Sequence, residues 1–248
     1  MSPGRARGSR QPSPPPPGKL GSMSTRLRRR TEHASASPDA GTPAPRPGLL
    51  ALLFGLPALL FTLLTWQVVA DGPLLRADER LSRALVHRDQ VCELLADLGN
   101  VSVAVPVLVL VVWYTARRGR AAGVGRWWLP PVAVAVLMAL MPLIVLPLKE
   151  WTDRPGTPAV PPATGYYPSG HTATAALAYG SAALVLLPWL VTALARRAVA
   201  ATAAALVAAV SFGLVRQGYH WPLDVVASWC LGAALLGALW LLLRRLAR

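Results

Sequence analysis

From residue 49 onward the chain alternates long apolar stretches with short polar or basic gaps. Six stretches stand out, at about 49–70, 101–114, 127–148, 171–191, 198–215 and 223–243. Most reach the roughly 20 apolar residues that a helix needs to cross about 30 Å of hydrocarbon. The second is shorter and is expected to begin a turn earlier. The third carries Pro130, Pro131, Pro142 and Pro147, so kinks are predicted there. Between the first two spans, residues 71–100 mix charges with leucines and valines at helix-like intervals: Leu81, Leu85, Val91, Leu94, Leu95 and Leu98. That segment is expected to be an amphipathic helix at the interface or packed over the bundle. The pattern as a whole predicts an all-α, polytopic membrane protein, a six-helix bundle.

Composition agrees. Of the 248 residues, 54% are hydrophobic and 15% charged, well below the roughly 25% charged residues of soluble domains. The net charge of +14 would suggest nucleic acid, but the arginines fall in the N-terminal tail and in short gaps between spans. No nucleic-acid partner is expected. The tail, the 117–126 gap, Arg196–Arg197 and the C-terminus share one side of a six-span layout, and beyond the tail every Asp and Glu falls on the other. The positive-inside rule then makes both termini cytoplasmic. Residues 1–46, with the Pro14–Pro17 run and the cluster Arg26, Arg28, Arg29 and Arg30, can bury no core and are expected to be a disordered tail. Met23 offers an alternative start, and Trp66–Asp71 makes a poor signal-peptide cleavage site, so the first span is read as a retained anchor. The expected division is a tail over 1–46 and a membrane domain over 47–248. Cys92 and Cys230 lie far apart and show no metal-ligand spacing.

Three polar stretches fall on the acidic side. Lys149-Glu-Trp-Thr-Asp-Arg154-Pro155 follows the third span, Pro168-Ser169-Gly170-His171 opens the fourth, and Arg216 to Asp224 joins the fifth to the sixth. Ionisable groups at a membrane mouth are costly and usually functional. Pro168 and Ser169 suit a helix start, and Gly170 lets a ligand approach bare backbone. Three cations (Lys149, Arg154 and Arg216) plus a helix N-terminus make a clamp for a phosphoryl group. His220 and Asp224 are four apart, which on a helix lets the carboxylate hold one ring nitrogen and leaves the other as a nucleophile. His171, from another helix, can protonate a leaving oxygen and then activate water. A zinc site from His171, His220 and Asp224 is disfavoured by the surrounding positive charge.

These three stretches, in this order and on these span ends, resemble the type 2 phosphatidic acid phosphatase family, the membrane branch of the superfamily shared with vanadium haloperoxidases. The resemblance runs directly over about 148–226. It implies that His220 forms a phosphohistidine, that Asp224 orients it, and that His171 is the general acid. It also implies that Lys149, Arg154, Ser169, Gly170 and Arg216 hold the phosphate, with no metal and no cofactor. The spacing departs from the family pattern in two places. Gly156 stands where the pattern, counted from Lys149, has its arginine, and Gly213-Leu214 stand where it has Ser-Arg. Arg216 lies two residues closer to His220, and two residues turn a helix by about 200°. Gly218 and Tyr219 suggest a loop that would relax this constraint.

The expected activity is hydrolysis of a lipid phosphate at the outer leaflet, with phosphatidate, phosphatidylglycerol phosphate and polyprenyl phosphates or diphosphates as candidate substrates. The enzyme would be a multi-pass protein of the cell membrane with its site on the extracytoplasmic side. The alternative, prompted by the displaced arginines, is a protein of the same fold that binds or transports a lipid phosphate without turnover.

Overall fold

The computed structural model describes residues 47–246. The tail expected to be disordered, residues 1–46, lies outside the described residues. The first span is composite: α1 (Pro47–Leu50) passes through a π-helical turn (Ala51–Gly55) into α2 (Leu56–Val69). Two short helices follow, α3 (Pro73–Leu85) and α4 (Gln90–Asp97), and then α5 (Val101–Ala121) and α6 (Leu129–Thr152). The last three long helices are α7 (Gly170–Leu186, extended by a 3-10 turn at Leu187–Trp189), α8 (Ala193–Arg216) and α9 (Pro222–Leu246). Among the described residues there is no strand, and six helices are long and apolar enough to cross a membrane. The all-α, six-span reading holds. The second span runs well past its expected end, to Ala121, and α6 continues through Pro142 and Pro147 to Thr152.

The bundle is built around α7, the most buried of the six. Its sequence is mostly Ala, Thr, Ser and Gly, and small residues let helix backbones approach closely where lipid supplies no hydrophobic drive between helices. It packs against α5, α6, α8 and α9. Gly180 lies under Leu236 of α9 so closely that a β-carbon would collide with that side chain. Leu177, Val210, Leu214 and Leu239 fill the core beside it.

The segment 71–100 packs over one end of the bundle rather than lying free at an interface. Asp89 caps α4, its Oδ1 accepting from the Cys92 N–H at 2.7 Å. The backbone of α4 then comes so near α8 that a β-carbon on Gly213 would sit 2.5 Å from Ala96 N and Cys92 O. Helix α3 turns Asp78 inward, and that carboxylate is almost fully buried. Its Oδ1 accepts from the Leu223 N–H at 2.9 Å, near the start of α9. This cover and the N-termini of α5, α7 and α9 surround one end of the bundle.

Candidate active site

His220 precedes α9 and Asp224 lies in its first turn, where a carboxylate is favoured by the helix dipole. Asp224 is fully buried. Its Oδ2 accepts from His220 Nδ1 at 3.2 Å and from the Trp221 N–H at 3.2 Å. Since an ionised carboxylate only accepts, the Nδ1 proton is fixed and the lone pair of the ring falls on Nε2. The edge of Tyr166 meets the His220 ring with centroids 5.7 Å apart.

His171 stands in the first turn of α7, behind the N-cap Ser169, whose Oγ accepts from the Thr172 N–H at 3.4 Å. Its Nε2 lies 2.7 Å from Asn100 Oδ1. Asn100 Nδ2 donates to Asp97 Oδ1 at 2.8 Å, which leaves the amide oxygen for the histidine. The proton of the pair is therefore on His171 Nε2. Gly99 permits this approach, because a β-carbon there would crowd the His171 carbonyl at 3.1 Å and its Cβ at 3.2 Å.

His171 and His220 line one cavity of about 910 Å³, together with Asn100, Lys149, Tyr166 and Gly170. Lys149, in the last turn of α6, donates from Nζ to the Gly165 carbonyl at 2.6 Å. A β-carbon on Gly170 would meet nothing within 4 Å, so this glycine keeps space open rather than relieving a packed contact. The opposite wall is apolar and comes from α6: Met141, Pro142, Val145 and Leu146.

The other expected clamp residues lie outside that cavity. Arg154, buried beneath it, donates from Nη1 to Asp224 Oδ1 and from Nη2 to Asp78 Oδ2 at 2.6 Å. Its guanidinium also faces the Trp221 ring at 5.5 Å. Burial raises the Asp78 carboxyl above the ordinary carboxylate range, while Arg154 and the Leu223 N–H draw it down. Helix α8 continues through Arg216 before the chain turns at Gly218, where φ is +70°. Arg216 Nη1 accordingly donates to the Leu85 carbonyl at 3.0 Å and ties α8 to the end of α3. Ser169 is buried, with its N–H on the Asp224 carbonyl at 3.2 Å and its own carbonyl accepting from Ser228 Oγ at 2.8 Å.

The two departures from the family spacing have a packing counterpart. A β-carbon on Gly156 would lie 2.7 Å from Tyr166 Cε2 and 2.7 Å from Val160 Cγ2, so those side chains occupy the space an arginine would need. Leu214 belongs to the buried core. Asn100, Asp78 and Tyr166 are site-forming residues that sequence reasoning did not single out. Only the pair Asp97-Asn100, flanking the start of the second span, carried a local sign of polarity at that position.

The fold and this end of it define a six-helix membrane protein with a buried Asp-His pair, opposed by a second histidine and a lysine across one cavity. Residues 133–248 match the family model of the PAP2 superfamily, the family that the three motifs resemble. No curated protein sequence matches the chain. Among solved structures, it is similar to a transmembrane PAP2-type phosphatidylglycerolphosphate phosphatase from Bacillus subtilis. The identity is 24% and the TM-score 0.62, over 76% of this chain and 96% of that one. The likeness is one of fold, shared with that transmembrane protein.

Proposed function

We propose that this protein is a lipid phosphatase that works through a phosphohistidine on His220. One observation carries the reading: a single cavity joins His171, His220 and Lys149 at its polar end to an apolar wall from a membrane-spanning helix. A phosphate headgroup suits the first and an acyl or prenyl chain the second. Leu146 on that wall is 55% exposed, so the apolar surface continues onto the face that lipid would cover.

In the proposed reaction His220 Nε2 attacks phosphorus in line with the bond to the lipid oxygen. That P–O bond breaks, and the leaving oxygen takes the Nε2 proton of His171 in its imidazolium form, in competition with Asn100, leaving a neutral ring with its proton on Nδ1. Water then gives a proton back to His171 and attacks the phosphohistidine. The P–N bond breaks, releasing inorganic phosphate and restoring both rings. Lys149 and the backbone around Gly170 are assigned to the phosphoryl oxygens. Arg154 acts at one remove by holding Asp224. The chemistry calls for no metal. Candidate substrates are phosphatidate, phosphatidylglycerol phosphate and polyprenyl phosphates or diphosphates, at the outer leaflet if the basic end faces the cytoplasm.

The test is phosphate release by detergent-purified protein from a panel of these lipids, wild type against His220→Ala, with EDTA throughout. Release that disappears in the variant and is blocked by orthovanadate, a mimic of in-line transfer geometry, supports the reading. A second reading rests on the placement of Arg154 and Arg216 away from the cavity: a protein that binds a lipid phosphate without cleaving it. Lipid binding by folded wild type with no release from any substrate would favour it.

A further inference from the structure

At the opposite ends of α5, α6, α7 and α9 lies a second cavity, of about 360 Å³. Its walls include Trp127, Trp189, Trp240 and Pro131, with Arg126 and Arg244 among the lining residues. Helix α7 has 17 residues, a length of about 25 Å, so this cavity and the candidate active site are separated by most of a bilayer. Three arginines at this end are held on aromatic faces. The Arg244 guanidinium carbon lies 4.6 Å from the Trp240 ring centroid, that of Arg118 lies 5.7 Å from Trp189, and that of Arg120 lies 5.8 Å from Trp127.

Charge at this end has one sign. The gaps at 117–126 and 196–197 and the end of α9 carry arginines, and every Asp and Glu among the described residues belongs to the other end or to α3, α4 and their loops. A topology signal explains the sign of the charge, and an aromatic belt explains tryptophans near an interface. Neither explains an apolar pocket between helices with arginines among its lining residues. That combination, a fatty wall with a cationic rim at the depth of a headgroup, is complementary to an anionic phospholipid.

We propose that this cavity binds one anionic phospholipid, with its phosphate between Arg126 and Arg244 and its first methylenes against Trp189, Trp240 and Pro131. The site is separate from the candidate active site, and its occupancy does not depend on the proposed hydrolysis.

The experiment uses the full chain in detergent and a phosphatidylglycerol carrying a diazirine near the carboxyl end of one acyl chain. After irradiation, the labelled peptide is mapped by mass spectrometry. Label is expected in the segments 127–131, 184–189 or 240–246, displaced by unlabelled phosphatidylglycerol and not by phosphatidylcholine. Two lost arginine–phosphate attractions amount to about a thirtyfold weaker displacement in Arg126→Gln/Arg244→Gln. Arg196→Gln/Arg197→Gln, which changes the net charge equally outside the cavity, is expected to behave as wild type. Label competed equally by phosphatidylcholine, or removed by inorganic phosphate alone, overturns the proposal. So does displacement unchanged in the first double variant, with size exclusion confirming that both variants are folded.

Discussion

Arg154 and Asp224, seventy positions apart, meet as a buried ion pair directly behind the His220 ring, with Arg154 Nη1 donating to Asp224 Oδ1. The second arm of the same guanidinium reaches Asp78 on α3. One cation therefore joins α3, the loop after α6 and the first turn of α9. The two carboxylates would repel each other without it. Breaking a buried pair from one side is expected to destabilise by about 3–5 kcal/mol, because the surviving charge has nowhere to go. Arg154→Ala should accordingly lower the unfolding temperature in detergent and reduce turnover together. Arg154→Lys, which keeps the charge and loses the fork, should retain more stability than activity. A normal melting curve with only a raised KM would instead make Arg154 a direct phosphate ligand.

Gly170 offers a cleaner separation of folding from function. Nothing lies within 4 Å of where its β-carbon would be, yet it lines the cavity beside His171. Gly170→Ala should fold as well as wild type or better, since alanine is about 0.5–1 kcal/mol more favourable in a helix. It should nevertheless lose activity, because the added methyl projects into the space assigned to the phosphoryl group. Unfolding temperature and kcat/KM measured on one preparation check this. Unchanged kcat/KM would move the phosphate away from the start of α7.

How much of this was readable beforehand depends on the range of each contact. The six spans were legible because each is a continuous apolar run, and the His220–Asp224 pair because four residues make one helical turn. Two of the boundaries that differ have a plain physical reason. Helix α5 continues past Tyr114 because its arginines fall in the final turns and interact with aromatic rings, as Arg117 does with Trp113 at 5.0 Å. Helix α8 continues through Arg216 because the left-handed break is supplied by Gly218, two residues later. Staying on the helix is what directs Arg216 toward Leu85. The partners of His171 and Arg154 were not legible at all. Asn100 and Asp78 come from 71 and 76 positions away, and no local period marks them.

The Asp97–Asn100–His171 chain leads to a prediction about proton transfer. If Asn100 fixes the proton on His171 Nε2, its loss should impair protonation of the leaving oxygen more than binding. Asn100→Ala is expected to lower kcat by about tenfold or more while KM changes little. Substrates with good leaving groups, such as an aryl phosphate, should be less affected because they need less acid assistance. The comparison of kcat between an alkyl and an aryl phosphate is the deciding measurement. An equal loss on both would reduce Asn100 to a packing residue.

Restoring the family spacing is expected to harm this protein rather than improve it. Tyr166 and Val160 already fill the room beside Gly156, and Leu214 is 1% exposed in the core between α7 and α8. Gly156→Arg must push the Tyr166 ring away from His220, and Leu214→Arg must bury a charge in an apolar core. Both should lower the unfolding temperature, the second by more. Adding Tyr166→Ala to Gly156→Arg should recover much of the lost stability, since it removes the side chain that blocks the arginine. If the single Gly156→Arg variant were as stable as wild type and more active, Tyr166 would be a mobile lid over an open arginine position. The tight contact on Gly156 argues for the opposite, a packed wall in which Tyr166 and Val160 already hold that space.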